Sequence, residues 1–521
     1  MTWLDYSIVG AYLVGMLVLG LLFRHQNSGN DYFLGGRTLA WPTLALSVMA
    51  TQLSAISFIS APAFVGLREG GGLIWLSYEL ALPLAVIIML WRLLPTLHNA
   101  GVVSVYDYLE QRFSRSTRLL ISAVFQVSRS FATAIMIYAI ALILQGTMGI
   151  NQFHAILIIG VITLIYSAMG GMKAVVYGDA IQMVLIVAGA GVCLWAGLNA
   201  AGGWQQVLDI IPAERLHAIN TDTAGLNGND FGLLPMLFGG LVLYASYYGC
   251  DQSEAQRSLS THSIADLRKM LVTVAFCRFP ITLLYCSTGL VIGALVMSSP
   301  DLQAQIPADE PDWMMPVFII NYLPAGIVGI LVVAILAAAM SSLSSAINSL
   351  AAVTTEDISR LTGASLDDKG YLKRARISGV AWGLITLVLS LYAGNIAPTV
   401  IEAINKIGSV FYGPVLAIFL VGIHSRRISP MAANCGLLLG VAINIYLWLS
   451  DSTLFWFWWN LIGFLVTVST SILLSIKYPN DAAHRLASVR GISYQLALIL
   501  GAWSLVLILI TGFVLPYLAA M

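Results

Sequence analysis

Apolar runs of about twenty residues recur from one end of this chain to the other, each long enough to cross ~30 Å of hydrocarbon as a helix. About fourteen can be counted, the first near 3–23 and the last near 493–519. Such a pattern leaves few folds open. Inside lipid every backbone N–H and C=O must be satisfied within its own segment, so these runs predict helices rather than open sheet. The expected class is an all-α polytopic membrane protein, and the 59% apolar against 10% charged composition, with mean hydropathy +0.86, agrees.

Loops between the runs are short apart from 199–230 and the acidic SSPDLQAQIPADEPDW, so 1–521 reads as a single membrane domain. An even number of spans puts both termini on one face. Of the 25 Lys and Arg, only Arg68 and Arg215 fall on the face shared with the termini, while Arg129, Arg278 and Lys406 lie within spans. Positive residues concentrate in cytoplasmic loops, so both ends are expected outside. The first span lacks a basic start and carries Asp5, which favours a retained helix over a cleaved signal. No N-x-Ser/Thr acceptor occurs, which points to a prokaryotic source and a bacterial inner membrane. With zero net charge and no basic block, nucleic acid is not an implied partner, and no obligate protein partner is implied either.

Chemistry must therefore be sought inside the spans. The segment 336–349, LAAAMSSLSSAINS, is the most unusual. At ~100° per residue, Ser341, Ser342, Ser344, Ser345, Asn348 and Ser349 fall within an arc of roughly 160°, so the helix has one polar face. Small residues can serve close helix packing. Hydroxyl and carbonyl oxygens also suit a small hard cation such as sodium. A carboxylate would strengthen such a site, and Asp179 in GGMKAVVYGDAIQMV is the best placed; the alternative is an interfacial pair with Lys173.

Two other spans read as interrupted helices, which are tolerated in a membrane only where they line a cavity. One is SVMATQLSAISFISAP, with Thr51, Gln52, Ser54, Ser57 and Ser60 ahead of Pro62; the other is LYASYYGCDQSEAQR, with Tyr244, Tyr247, Tyr248 and Asp251. Five cysteines without paired spacing predict neither a disulfide framework nor a zinc site. The seven histidines lie in loops or at span ends, and no H-E-x-x-H or phosphate-binding loop occurs, so no enzyme activity and no cofactor are expected.

YSAMGGMKA at 166–174 resembles the signature of the sodium:solute symporter family, and DYFLGGR at 31–37, YDYLEQRF at 106–113, the SSLSS run and FYGPVLAIFLVG at 411–422 resemble family segments in the same order. The resemblance implies a leucine-transporter-like five-plus-five inverted repeat: an extra N-terminal helix at 3–23, a ten-helix core over 40–423 and three C-terminal helices over 430–519. It implies a main sodium site made by Ala50, Leu53, Ala338, Ser341 and Ser342. Members similar to the bacterial sialic acid symporter imply a second sodium at Asp179, Ser344 and Ser345, with Ser341 shared. One or two sodium ions would then be co-transported.

For the solute, the resemblance implies contacts from Gln52, Ser54 and Ser57, an aromatic inner gate at Tyr247, and a sugar-holding carboxylate at Glu79. Arg129 matches an arginine that the sialic acid symporter sets against a substrate carboxylate, and arginine can grip a carboxylate with two hydrogen bonds. Lys406 falls near a sugar-binding glutamine of human glucose symporters. Structural roles remain open for these cations: Glu402 could neutralise Lys406 four residues on, Arg129 could snorkel, and Arg278 could pair with Asp251. Positive charge set against Glu79 favours a solute with carboxylate and hydroxyls, a sugar acid or monocarboxylate, imported by sodium-driven alternating access. A neutral sugar or polyol, proton coupling or a channel are the alternatives.

Overall fold

A computed structural model describes residues 1–53, 55–228, 231–363, 367–393, 399–450, 452–478 and 488–520. The described residues form helices joined by short turns, with one isolated bridge between Leu39 and Thr261 and no extended strand.

Helix α1 (Trp3–Leu22) lies first. Its Asp5 is 1% exposed, and Oδ1 accepts from the N–H groups of Gly326 (2.7 Å) and Gly329 (2.8 Å). Those donors open a later helix, where a carboxylate satisfies orphan N–H groups and meets the positive end of the dipole. α2 (Trp41–Gln52) and α3 (Ala55–Gly66) make one span bent by 51°. α4 (Leu73–Asn99), α5 (Val105–Arg112), α6 (Arg115–Met148) and α7 (Gln152–Ala201) follow.

At 50 residues α7 would run about 75 Å if straight, far more than one crossing. It breaks at Gly171, whose φ of 56° and ψ of −153° are open to glycine alone. A Cβ there would also stand 2.7 Å from the Tyr32 carbonyl oxygen. The Gly-Gly of YSAMGGMKA thus marks the boundary between two successive apolar runs of the sequence.

α8 (Gly240–Cys250) and α9 (Gln252–Leu259) form the second interrupted segment. Asp251 between them is extended, and its Oδ1 accepts from the Ser253 N–H at 2.8 Å, an N-cap that starts a new helix in mid-protein. Then come α10 (Ile264–Ser298), α11 (Ile327–Thr362), α12 (Asp368–Ser390), α13 (Val400–His424), α14 (Pro430–Leu449), α15 (Phe457–Lys477) and α16 (Tyr494–Tyr517). Serine side chains cap the starts of α5, α6, α10, α14 and α16, which fixes where each turn ends.

Among the described residues ten helices are long and apolar enough to cross a membrane, eleven with the bent α2–α3 pair, against the fourteen or so expected. The doubled α7 counts once in that number, and α8–α9 and α12 fall outside it: α8 and α9 are short pieces, and α12 starts in the charged DKGYLKRAR. α11 is the most enclosed span, 89% buried in its apolar window, while α14 and α15 are 33% buried and α16 is 22% buried. α13 and α15 approach closely at Gly413, where a Cβ would stand 1.9 Å from the Asn460 carbonyl oxygen.

Candidate functional site

The stripe of α11 serines meets the break in the first interrupted span. α2 ends at Gln52, Leu53 turns away with ψ of 66°, and the carbonyl of Thr51 accepts from Ser342 Oγ at 3.2 Å. Ser341, Ser342, Ser344 and Ser345 are 0–4% exposed, so these hydroxyls face protein rather than lipid. Ala338 sits one turn up the same face and is fully buried, as are Ala50 and Leu53 on the other side of the junction. The five residues expected to hold the main sodium therefore come from the two elements that meet here. Broken backbone and hydroxyls meet here, and oxygen donors of these two kinds are what a dehydrated alkali ion requires.

One turn deeper the structure adds a residue the sequence did not single out. Asp179 of α7 is fully buried and takes three donors: Ser341 Oγ on Oδ1 (2.6 Å), and Ser47 Oγ (2.5 Å) and Arg257 Nη2 (2.7 Å) on Oδ2. The same Nη2 donates to Ser345 Oγ at 2.5 Å, and Arg257 Nε donates to Ser47 Oγ at 2.7 Å. Four helices, α2, α7, α9 and α11, are tied at one ion pair. Arg257, grouped by sequence with the loop cations, is 1% exposed because α9 is buried along its whole length. The run DQSEAQR, polar throughout but for one alanine and opened by a capping aspartate, was the available signal. Lys173, the alternative partner for Asp179, instead pairs with Asp31 at 2.7 Å. Ser344 turns back to donate to the Ser341 carbonyl at 3.0 Å. Of the residues expected at a second sodium, Asp179, Ser341 and Ser345 are thus gathered, with a guanidinium among them.

Beside the α2 break lies a cavity of about 90 Å³ whose walls include Gln52, Ser57, Arg129 and Tyr247, four of the seven residues expected to meet solute. Ser54 lies outside the described residues. The remaining two are elsewhere. Glu79 is fully enclosed behind the wall: Arg278 Nε donates to Oε1 and Oε2 (3.1 and 3.3 Å), Tyr244 OH to Oε2 (2.8 Å) and Thr282 Oγ1 to Oε1 (2.9 Å). A carboxylate so engaged has little capacity left for sugar hydroxyls. Lys406 points to the opposite side of α13, its Nζ 5.4 Å from the Trp448 ring and 5.9 Å from Trp459, a cation–π seat on the C-terminal helices.

The buried charges pair differently from expectation. Arg129 does not snorkel; it is 7% exposed, its Nη2 stands 2.6 Å from Asp251 Oδ2, and its guanidinium lies 5.4 Å from the Tyr247 ring. Arg278 pairs with Glu79 rather than Asp251. Glu402 pairs with Arg68 at 2.9 Å instead of with Lys406. Glu254 is 1% exposed and neither carboxylate oxygen has a hydrogen-bond partner.

Side-chain contacts bracket the cavity on both sides. Arg68, just beyond α3, reaches Glu402 on α13, which also accepts from Thr399 Oγ1 at 2.6 Å, and Ile401 and Ile404 beside that pair form cavity wall. Arg215 caps the end of α3 by donating to the carbonyls of Val65, Leu67 and Arg68 (3.0–3.2 Å). On the other side Tyr247 packs edge-on against Tyr248 and Tyr412. Below them Arg118 holds Asp107 (3.1 Å), Glu110 (2.8 Å) and Asp357 (3.0 Å), joining α5, α6 and α11; burial pushes the Asp107 carboxyl up to about 7 against the pull of Arg118.

A model of the sodium:solute symporter family matches residues 32–440. The chain belongs to that family. A sodium/sialic acid symporter of Aliivibrio fischeri is 30% identical over 92% of this chain and 94% of its own, and one of Proteus mirabilis is 27% identical over 89% and 93%. Sodium-coupled monocarboxylate transporter 1 of Xenopus laevis is 28% identical over 85% of this chain and 71% of its own. Among solved structures, a Na+-coupled sialic acid symporter in a substrate-bound outward-open state superimposes with a TM-score of 0.83 at 25% identity, covering 93% of this chain and all of that one. A nucleobase-cation-symport-1 family transporter, in a closed conformation, gives 0.53 at 13% and shares the fold. This family member is therefore a sodium-coupled membrane symporter with the leucine-transporter-like fold, not an enzyme, and sodium is its co-transported ion.

Proposed function

We propose that the protein imports a small carboxylate-bearing organic solute, a sugar acid or monocarboxylate, together with sodium bound where α2 breaks against α11. The observation that carries the reading is the junction itself: Ser342 Oγ on the Thr51 carbonyl, with Ser341 beside it and a cavity that opens at Gln52. The carbonyls of Ala50, Leu53 and Ala338 and the hydroxyls of Ser341 and Ser342 would replace the ion's water, and Arg129 would receive the carboxylate. Sialic acid, named for two relatives, is such an acid. Burial of Glu79 behind the wall argues against a neutral sugar.

Sodium entering from outside would brace α2 against α11 and complete the solute pocket; occupancy of both then favours closure of the Arg68–Glu402 side and opening past Tyr247. One charge crossing 100 mV supplies about 2.3 kcal/mol, enough to set the direction without a covalent step. In this reading 40–423 is the transport core, 3–23 and 430–519 are accessory, and both termini lie outside. A second sodium at Asp179, Ser344 and Ser345 is supported by their chemistry, but Arg257 would have to yield its bonds to both Asp179 and Ser345. Uptake into proteoliposomes, with sodium replaced by choline at fixed pH, tests the coupling: loss of accumulation is expected, and undiminished uptake driven by a pH gradient would assign the coupling to protons.

A further inference from the structure

Two guanidiniums, not one, form the cavity wall. Arg129 approaches on α6 and Arg278 on α10, and both line the same 90 Å³ space. Each is held from behind by a carboxylate that is not part of the wall. Asp251 holds Arg129 at 2.6 Å while its other oxygen caps α9; Glu79 holds Arg278 through Nε while Tyr244 and Thr282 also donate to it. These extra donors share the same carboxylate oxygens, so neither carboxylate satisfies every donor of its arginine. Each also keeps a donor unused: Arg129 Nε and Arg278 Nη1 are buried and have no hydrogen-bond partner.

A buried charged donor left empty costs more than a neutral one, and guanidinium geometry fits carboxylate oxygens. A solute with one carboxylate fills one of the two places and leaves the other donor dry. A solute with a carboxylate at each end fills both.

We propose that Arg278 is a second anion-holding residue of this pocket and that the preferred solute is a small dicarboxylate. The inference rests on Arg129 as the first carboxylate anchor, keeps a carboxylate-bearing solute, and replaces the single-carboxylate acid of that reading by one with a carboxylate at each end. Selectivity then comes from the unfilled donor: a monoacid pays the desolvation of Arg278 without return.

The test uses the full-length protein in nanodiscs with sodium, and competition binding of malonate, succinate and glutarate against their monomethyl esters, which remove one charge and add a single methyl group. The best diacid is expected to bind at least tenfold more tightly than its ester. Equal affinities across the three pairs overturn the proposal with no variant needed. Arg278→Gln alone strands Glu79, so the paired variant Arg278→Gln with Glu79→Gln removes both charges together and shortens only the side chain at 278. In it the diacid-to-ester ratio should fall to within about twofold while ester affinity holds; a ratio that survives assigns Arg278 a packing role only. Arg129→Gln should weaken diacid and ester alike. If it weakens neither, or if no acid binds to the wild type while neutral solutes do, the carboxylate reading itself fails, a result distinct from loss of diacid preference alone.

Discussion

Asp179 and Arg257 show what a charge inside this molecule requires. Neither is in contact with solvent, and each is satisfied only because serines from α2 and α11 complete the set around the pair. Removing one partner of such a pair typically costs 3–5 kcal/mol, since the other is left charged in a low-dielectric interior. Asp179→Asn is therefore expected to lower the thermal midpoint in detergent by several degrees, and Asp179→Asn with Arg257→Gln to recover most of it; equal losses in both would mean the pair is not energetically coupled. At Asp312, in the segment between α10 and α11, burial pushes the carboxyl up to about 6 against the pull of hydrogen bonds from the Val400 N–H and Ser60. A raised carboxyl costs stability once ionised: the penalty is complete above pH 6, shrinks as pH falls and is gone below the ordinary value near 4. The wild type should thus gain thermal stability relative to Asp312→Asn between pH 6 and 4, and parallel profiles would contradict the assignment. Serines and Arg129 were legible in the sequence because polar residues in an apolar run stand out. Arg257, Glu79 and Lys406 were not, because which side of a helix a charge faces depends on neighbours far along the chain.

At the scale of elements, function depends on where helices stop. The α2–α3 break and the interruption at Asp251 between α8 and α9 were both readable as polar stretches within apolar runs, while the capping role of Asp251 was not. The contact between Arg68 and Glu402 was not, since the two are joined only when α3 and α13 come together. That contact is half-buried on the arginine side, and removing it should favour opening by about 1 kcal/mol, roughly fivefold in population. A cysteine at Ile404 on the cavity wall reports this: its reaction with an impermeant thiol reagent should speed up severalfold when Glu402→Gln is added, and an unchanged rate would show that the ion pair does not latch the pathway.

For the whole molecule, the apolar runs and the ordered family-like segments were enough to expect the class and fold, while the number of crossings was harder. A 50-residue helix broken at Gly171 and short paired pieces do not divide by length alone. Sodium coupling is the property on which alternating access turns, and it is localised by the account to the oxygens between the α2 break and the α11 serines. The direct measurement is the sodium concentration giving half-maximal solute uptake in proteoliposomes, wild type against Ser342→Ala. Losing one of about five oxygen ligands should raise that concentration about tenfold, or 1.4 kcal/mol, with solute affinity at saturating sodium unchanged. A half-maximal concentration that does not move would contradict the site.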